Sequence, residues 1–290
     1  MLRRSANARA RQLTARAARL LPTDRVGAER AYRDAVELDP TLKEAWFDLG
    51  LICKWERRWD EAFECNLRAA ELEGPIADEP AWWNLGIAAT ALRRWDVARR
   101  AWRTYGVPLR EGFGPIEDDF DVAPVRLNPT GDAEVVWGQR IDPARVRIRS
   151  IPFPRSGHRW GDVVLHDGAP AGYREVNGQQ RAVFDELERW EASDVPTLEV
   201  SIDASDSDVD GLITAVRAAG FAAEDWTHNV RVLCKRCSEG VVHAEHDRTP
   251  LAAGDIHHIG IAGPRDLVDG LVVEWANLPG RVCHGIDETG

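Results

Sequence analysis

The chain contains one long stretch twice, as AWFDLGLICKWERRWDEA at residues 45–62 and as AWWNLGIAATALRRWDVA at residues 81–98. A shift of 36 residues aligns the two copies. The recurring residues are Trp46, Leu49, Gly50, Arg58, Trp59, Asp60 and Ala62, which return as Trp82, Leu85, Gly86, Arg94, Trp95, Asp96 and Ala98. A period of this length, with apolar residues at helical spacing and a glycine where two helices touch, predicts stacked helical hairpins.

The repeated motif resembles the tetratricopeptide repeat (TPR), whose first helix carries Trp-x-x-Leu-Gly and whose second helix begins with a small alanine. A partial match, AERAYRDAVELDP at residues 28–40, extends the resemblance to about three repeats over residues 8–105. Three positions depart from the family pattern, because Arg16 stands where a small residue is expected, Cys53 replaces a tyrosine and Asn66 replaces an aromatic residue. The resemblance implies an all-α helical hairpin array over residues 1–105.

The resemblance also implies a concave face, since four positions of each first helix line it in this family. These positions hold Glu44, Phe47, Leu51 and Trp55, and then Pro80, Trp83, Ile87 and Ala91. Such an apolar groove is unsuited to clamping a terminal carboxylate and favours an apolar segment, either of a partner protein or peptide or of the same chain. The residues predicted to contact the partner are Phe47, Leu51, Trp55, Trp83 and Ile87.

Residues 106–131 are rich in proline, glycine and acidic residues and show neither a helical nor a strand period. This composition predicts a linker. Its apolar residues Phe113, Ile116, Phe120 and Val122 are candidates to lie back in the groove. In that case the groove would be filled by the chain itself.

Residues 132–290 are predicted to form an acidic α+β domain. RVRIRSI and GDVVLHDG indicate two strands, and QQRAVFDELERWEAS at residues 179–193 indicates a helix. From residue 198 onwards the pattern is strand, helix, strand, a long loop, strand, helix, strand, which is the order of a ferredoxin-like α+β sandwich. In that topology the loop is an insertion at the tip of a hairpin.

The predicted hairpin insertion contains VLCKRCSEGVVHAEHD at residues 232–247. A Cys-x-x-Cys followed by glycine is typical of a zinc knuckle, and two histidines downstream supply the remaining ligands of a tetrahedral Zn²⁺ site. The predicted ligands are Cys234, Cys237, His243 and His246. Because the two histidines are closely spaced, Asp247, His257 and His258 remain alternatives for the fourth ligand.

Three interpretations of this motif stay open: a structural zinc, bare reduced thiols and a catalytic zinc. A catalytic site needs an open coordination position in a cleft, and a hairpin tip provides a poor cleft. The structural zinc is therefore favoured. A second polar stretch holds Ser156, His158, Asp162, His166 and Asp167, which could seed a hydrolytic site but are also typical turn formers.

Charge and cysteine usage limit the function further. The first 105 residues carry 19 basic and 16 acidic side chains, so the remainder has a net charge of −14 and disfavours nucleic acid. No segment predicts a membrane span, and five cysteines without a disulfide pattern favour a cytoplasmic protein. We predict a protein-interaction adaptor, with a metal-dependent hydrolase carrying a TPR recruitment domain, or an inhibitor of the immunity-protein type, as alternatives.

The zinc interpretation predicts that the purified, reduced protein binds about one Zn²⁺ per chain. Cys234→Ser or Cys237→Ser should abolish this zinc, whereas Cys53→Ser and Cys65→Ser should retain it because those cysteines lie in the helical repeats. Elemental analysis of the five proteins checks the prediction. Zinc-free parent protein would contradict it.

Overall fold

The computed structural model describes residues 2–176, 179–227 and 256–289. The chain divides into two compact units. The first comprises Met1–Asp118 and Asp142–Ala144, and the second comprises Asp119–Ile141 and Arg145–Gly290. The boundary at residue 118 falls inside the segment predicted as a linker.

The first unit contains six helices that pack in adjacent pairs. They are α1 (Leu2–Leu20), α2 (Arg25–Leu38), α3 (Lys43–Trp55), α4 (Trp59–Glu73), α5 (Pro80–Ala91) and α6 (Trp95–Tyr105). The Asp24 side chain caps α2 by accepting a hydrogen bond from the Gly27 N–H at 2.8 Å. The predicted all-α, N-terminal array of helical hairpins is thus present.

The two helices of a hairpin approach most closely at the repeated glycine. A Cβ atom added at Gly50 would lie 2.7 Å from the Asn66 amide nitrogen, and one added at Gly86 would lie 2.6 Å from the Trp102 indole. Asn66 and Trp102 occupy the same position 36 residues apart, so one packing rule serves both hairpins. Glycine is needed there because the facing side chain occupies the space of a Cβ.

The turns between paired helices also repeat. Arg57 and Arg93 both adopt the left-handed conformation, with φ of 57° and 58°. The arginine that follows each of these residues contacts an acidic side chain of an earlier helix. Arg58 forms an ion pair with Glu29 on α2 at 2.9 Å, and Arg94 contacts Asp60 on α4 at 3.2 Å.

The second unit begins with a closed barrel of five strands. They are β1 (Val122–Leu127), β2 (Glu134–Arg140), β3 (Arg145–Ile148), β4 (Val163–Val176) and β5 (Gln179–Glu191). Neighbours along the chain pair antiparallel, and a parallel β1–β5 pair closes the barrel. Its buried core is Val125, Leu127, Val136, Val146, Ile148 and Val164.

The barrel corrects two predictions. The segment predicted as a linker contains β1, and the predicted helix over 179–193 is wrong because most of it forms β5. The apolar residues of this segment also fit an amphipathic helix, but β5 pairs with almost the whole length of β4. Asn177-Gly178, a dipeptide typical of hairpin turns, separates the two strands in sequence and was the missed signal.

The second unit continues with a four-stranded sheet and two helices. The elements are β6 (Thr197–Asp203), α7 (Asp206–Ala218), β7 (Ala222–Asp225), β8 (His257–Ala262), α8 (Arg265–Ala276) and β9 (Val282–Glu288). The strand order is β7-β8-β6-β9, and all neighbours are antiparallel. Leu198, Val200 and Ile202 of β6 share a buried core with α7 and α8. The sequence also predicts a strand over WTHNVRVLC, residues 226–234, of which residues 228–234 lie outside the described range.

Trp226 joins the sheet to the barrel within the second unit. Its indole nitrogen donates to the Ile151 carbonyl at 3.2 Å, and its ring packs with Ile151 and Ala262. Among the described helices of both units, none is long and apolar enough to cross a lipid bilayer.

Replacing glycine by alanine should have opposite effects on stability at two positions, because the space around the added Cβ atom differs. Gly86→Ala should lower the free energy of unfolding of the helical array by about 1–3 kcal/mol, because the new methyl group overlaps the Trp102 ring. Gly211→Ala on α7 is the matched control. Nothing lies within 4 Å of its added Cβ, so better helix propensity should stabilise by about 0.5–1 kcal/mol. Thermal unfolding of both variants by circular dichroism tests the contrast, and a Gly86→Ala protein as stable as its parent would contradict it.

Candidate functional site

The predicted groove is most open along α3. Trp55 is 40% exposed, whereas Leu51 and Phe47 are half-buried one and two turns earlier on the same helix. The Arg25 guanidinium lies 5.7 Å from the centre of the Trp55 ring, which places a cation over its face. This part of α3 therefore offers apolar surface with a positive charge beside it.

Along α5 the predicted groove residues are occupied by contacts within the array. The Trp83 ring meets the rings of Trp102 and Tyr105 edge-on, at centroid distances of 4.9 and 4.8 Å. Ile87 is fully buried. In this conformation the structure thus leaves Trp55 open, buries Ile87 and packs Trp83 against α6.

Buried polar contacts hold successive first helices at a fixed spacing. The Lys54 ammonium on α3 donates to the Asn84 side-chain oxygen on α5 at 2.8 Å. One repeat earlier, Tyr32 on α2 is hydrogen-bonded to Asp48 on α3, and burial raises the pKa of that carboxyl while the hydrogen bond opposes the rise. Asp48 and Asn84 lie 36 residues apart, so the same position connects each first helix to the hairpin before it.

The chain after α6 folds back along that helix. The Arg99 guanidinium donates to the carbonyls of Gly114, Arg110 and Pro115 at 3.0, 3.1 and 2.9 Å. Of the apolar residues predicted to fill the groove, Ile116 is fully buried, but Phe113 is fully exposed. The exposure of Phe113 excludes it as a groove-filling side chain in this conformation.

The polar stretch after β3 brings Ser156 and His158 together, but not as a nucleophile and its base. The Ser156 hydroxyl donates to the Phe153 carbonyl at 2.8 Å, while His158 contacts the Ser156 carbonyl through Nδ1 at 3.0 Å. The other ring nitrogen, Nε2, lies 2.6 Å from Glu186, a residue of β5 that the sequence did not single out. The arrangement positions a buried His–Glu pair rather than an activated serine.

Glu186 favours the protonated form of His158 and connects three segments of the barrel. Burial opposes protonation of His158, but the hydrogen bond and charge of Glu186 outweigh it, so the net effect raises the pKa of His158. The second Glu186 oxygen accepts the Asn128 N–H at 2.9 Å. Glu186 therefore ties β5 both to the loop after β1 and to the loop before β4.

His166 and Asp162 have other partners. His166 is fully buried, its Nδ1 lies 2.8 Å from the Asp167 carbonyl, and burial together with the nearby Arg140 lowers its pKa to about 3. Asp162, also fully buried, accepts the Ser193 N–H at 2.6 Å. Asp162 therefore connects the start of β4 to the segment after β5, and the His166 ring packs against Phe184 of β5.

The four predicted zinc ligands Cys234, Cys237, His243 and His246 lie outside the described residues. Of the alternative fourth ligands, His258 contacts Glu199 through Nδ1 at 2.7 Å, and His257 is buried at the start of β8. Within residues 2–176, 179–227 and 256–289, no group of three or more His, Cys, Asp or Glu side chains is arranged to hold a metal ion.

Comparison with protein-family models finds none that matches this chain, and comparison with curated proteins finds no significant match.

The His158–Glu186 pair predicts a measurable titration. The pKa of His158 should lie above its ordinary value of 6.5, and Glu186→Gln should lower it because the negative charge is removed while an oxygen acceptor remains for Asn128. NMR titration of the His158 ring in both proteins checks this. Since the folded pKa is raised, the pair stabilises the fold fully below pH 6.5 and loses that effect as pH rises through the folded pKa. An unchanged His158 titration in Glu186→Gln would contradict the assignment.

The buried His166 should make the free energy of unfolding fall on acidification, which is opposite to the effect of His158. Because its folded pKa of about 3 lies below the ordinary 6.5, the unfolded chain binds a proton first on acidification. The free energy of unfolding of the second unit should therefore fall by about 1.4 kcal/mol per pH unit through this group between those values. His166→Gln should remove that component, as measured by amide exchange in the barrel from pH 6 to pH 4. An identical slope in parent and variant would contradict it.

Proposed function

We propose that the first unit is a TPR-like array that binds an apolar segment of a partner protein or peptide at the open part of the groove on α3. The observation that carries the proposal is Trp55, which is 40% exposed although it continues the row of Phe47 and Leu51 on one helix. Contiguous apolar surface of this kind is typical of a protein-interaction site.

The packing of the repeats supports a recognition surface built on a rigid scaffold. The buried Lys54–Asn84 hydrogen bond fixes the spacing of α3 and α5, and the glycine contacts fix each hairpin. A partner side chain that reaches Trp55 would therefore meet a preorganised surface, which lowers the entropic cost of binding. Trp83 packs against α6 and Ile87 is fully buried, so both stabilise the array rather than line the open surface.

In the second unit we propose a ferredoxin-like sandwich with a structural Zn²⁺ in its hairpin insertion. The antiparallel strand order β7-β8-β6-β9 supports the first part of this proposal. The second part is supported by position, since Cys234, Cys237, His243 and His246 fall in sequence between the neighbouring strands β7 and β8. Such a zinc would stabilise the insertion rather than catalyse a reaction.

The groove proposal predicts that Trp55→Ala weakens binding without unfolding the protein. Peptides selected from a random display library on the full chain should be enriched in apolar residues. Their dissociation constants should rise at least about tenfold with Trp55→Ala, a loss of about 1.4 kcal/mol, because aromatic anchors dominate such interfaces. Isothermal titration with the selected peptides measures the effect.

Two matched variants make this test selective. Leu267→Ala removes a 51% exposed apolar side chain from α8 and should leave peptide binding unchanged. Trp83→Ala should lower the melting temperature, because it removes the edge contacts with Trp102 and Tyr105. Equal peptide affinity of the parent and a folded Trp55→Ala protein would refute the proposed site.

A further inference from the structure

The second hairpin contains two free cysteines whose thiols are hydrogen-bonded to each other. Cys53 lies on α3 and is fully buried, and Cys65 lies on the facing helix α4 and is 5% exposed. Their thiol–thiol hydrogen bond connects the two helices of the hairpin. A disulfide between Cys53 and Cys65 would therefore link the two helices of one hairpin.

Solvent reaches this pair from one side. Cys65 forms part of the wall of an open pocket lined by α2, α3 and α4, whereas Cys53 is fully buried and is not among the lining residues. The other residues that line this pocket are Arg33, Val36, Glu37, Trp46, Leu49, Asp60, Glu61 and Glu64. A small molecule in the pocket would therefore meet Cys65 first.

The electrostatic surroundings favour one thiolate in the pair. The hydrogen bond from Cys65 lowers the pKa of Cys53, burial opposes this, and the nearby Arg58 assists it. The same hydrogen bond, together with burial, raises the pKa of Cys65. Cys53 is therefore the more acidic partner, the two sulfurs share one proton, and attack by Cys65 requires that proton to move to Cys53.

The internal repeat shows that the hairpin does not need these thiols for packing. The positions 36 residues later are Ala89 and Ala101, and both are fully buried. The third hairpin thus packs with methyl groups where the second carries two sulfurs. Packing alone leaves the choice of two cysteines in the second hairpin unexplained.

We propose that Cys53 and Cys65 are a redox-active dithiol that is oxidised to a disulfide by a low-molecular-weight disulfide entering through the pocket. The geometry assigns the roles, because Cys65 lies at the pocket wall whereas Cys53 is fully buried on the facing helix. The proposal is independent of the groove on α3. Its effect would be a covalent link between α3, which carries Trp55, and α4.

The reaction balances as two thiol–disulfide exchanges. The Cys65 thiolate, formed when the shared proton moves to Cys53, attacks one sulfur of the small disulfide RSSR and releases one thiolate RS⁻. Cys53 then loses its proton to solvent or to that RS⁻, and its sulfur attacks Cys65, forms the intramolecular disulfide and releases a second RS⁻. The dithiol loses two electrons in total, and RSSR gains them to become two RSH.

Peptide mapping tests this on the folded full-length chain in glutathione redox buffers. Trypsin separates the two cysteines into EAWFDLGLICK, residues 44–54, and WDEAFECNLR, residues 59–68, so a linked pair of these peptides identifies the bridge directly. As the share of glutathione disulfide rises, we expect both thiols to be lost together and the linked pair to become the major form. The oxidised protein should also melt at a higher temperature than the reduced one.

Single substitutions separate the roles, and Ala89 and Ala101 indicate that alanine is tolerated at these positions. Cys53→Ala should accumulate a glutathione adduct on Cys65, whereas Cys65→Ala should leave Cys53 unmodified in the folded state. Cys283→Ser should leave the Cys53–Cys65 bridge unchanged. Absence of the linked peptides in oxidising buffer, or their formation only after denaturation, would overturn the proposal, and so would a Cys53 adduct in folded Cys65→Ala.

Discussion

The close approach of paired helices at Gly50 and Gly86 is the contact on which the first unit depends. No side chain larger than hydrogen fits there, because Asn66 and Trp102 already fill the space. With that distance set, the turns at Arg57 and Arg93 and the contacts of Arg58 and Arg94 repeat in the same form.

The second unit depends instead on contacts between residues far apart in the sequence. Arg126 on β1 binds Asp185 on β5 through two hydrogen bonds of 2.6 and 2.8 Å, at the parallel pair that closes the barrel. The buried His158–Glu186 pair lies in the same closure, since Glu186 follows Asp185. Polar residues that resemble a hydrolytic set in the sequence thus act as supports of a small barrel.

Buried polar side chains have different roles in the two units. In the helical array the buried polar groups, such as Lys54 with Asn84, align one hairpin with the next and leave an apolar surface free for a partner. In the barrel the two buried histidines have pKa values shifted in opposite directions, because the Glu186 carboxylate raises that of His158 whereas burial, assisted by Arg140, lowers that of His166. The environment of each ring, rather than its residue type, decides its protonation.

The sequence by itself determined the helical array, because each hairpin is encoded within one 36-residue repeat by local spacing and by a glycine contact that lies close along the chain. It also determined most strands and helices after residue 197, where period and caps agree. Only the tertiary structure decided that residues 179–191 form a strand, because pairing with β4 and closure onto β1 outweigh an amphipathic pattern. It likewise decided which predicted groove residues stay open, since the burial of Ile87 and the contacts of Trp83 arise from packing that local spacing does not encode.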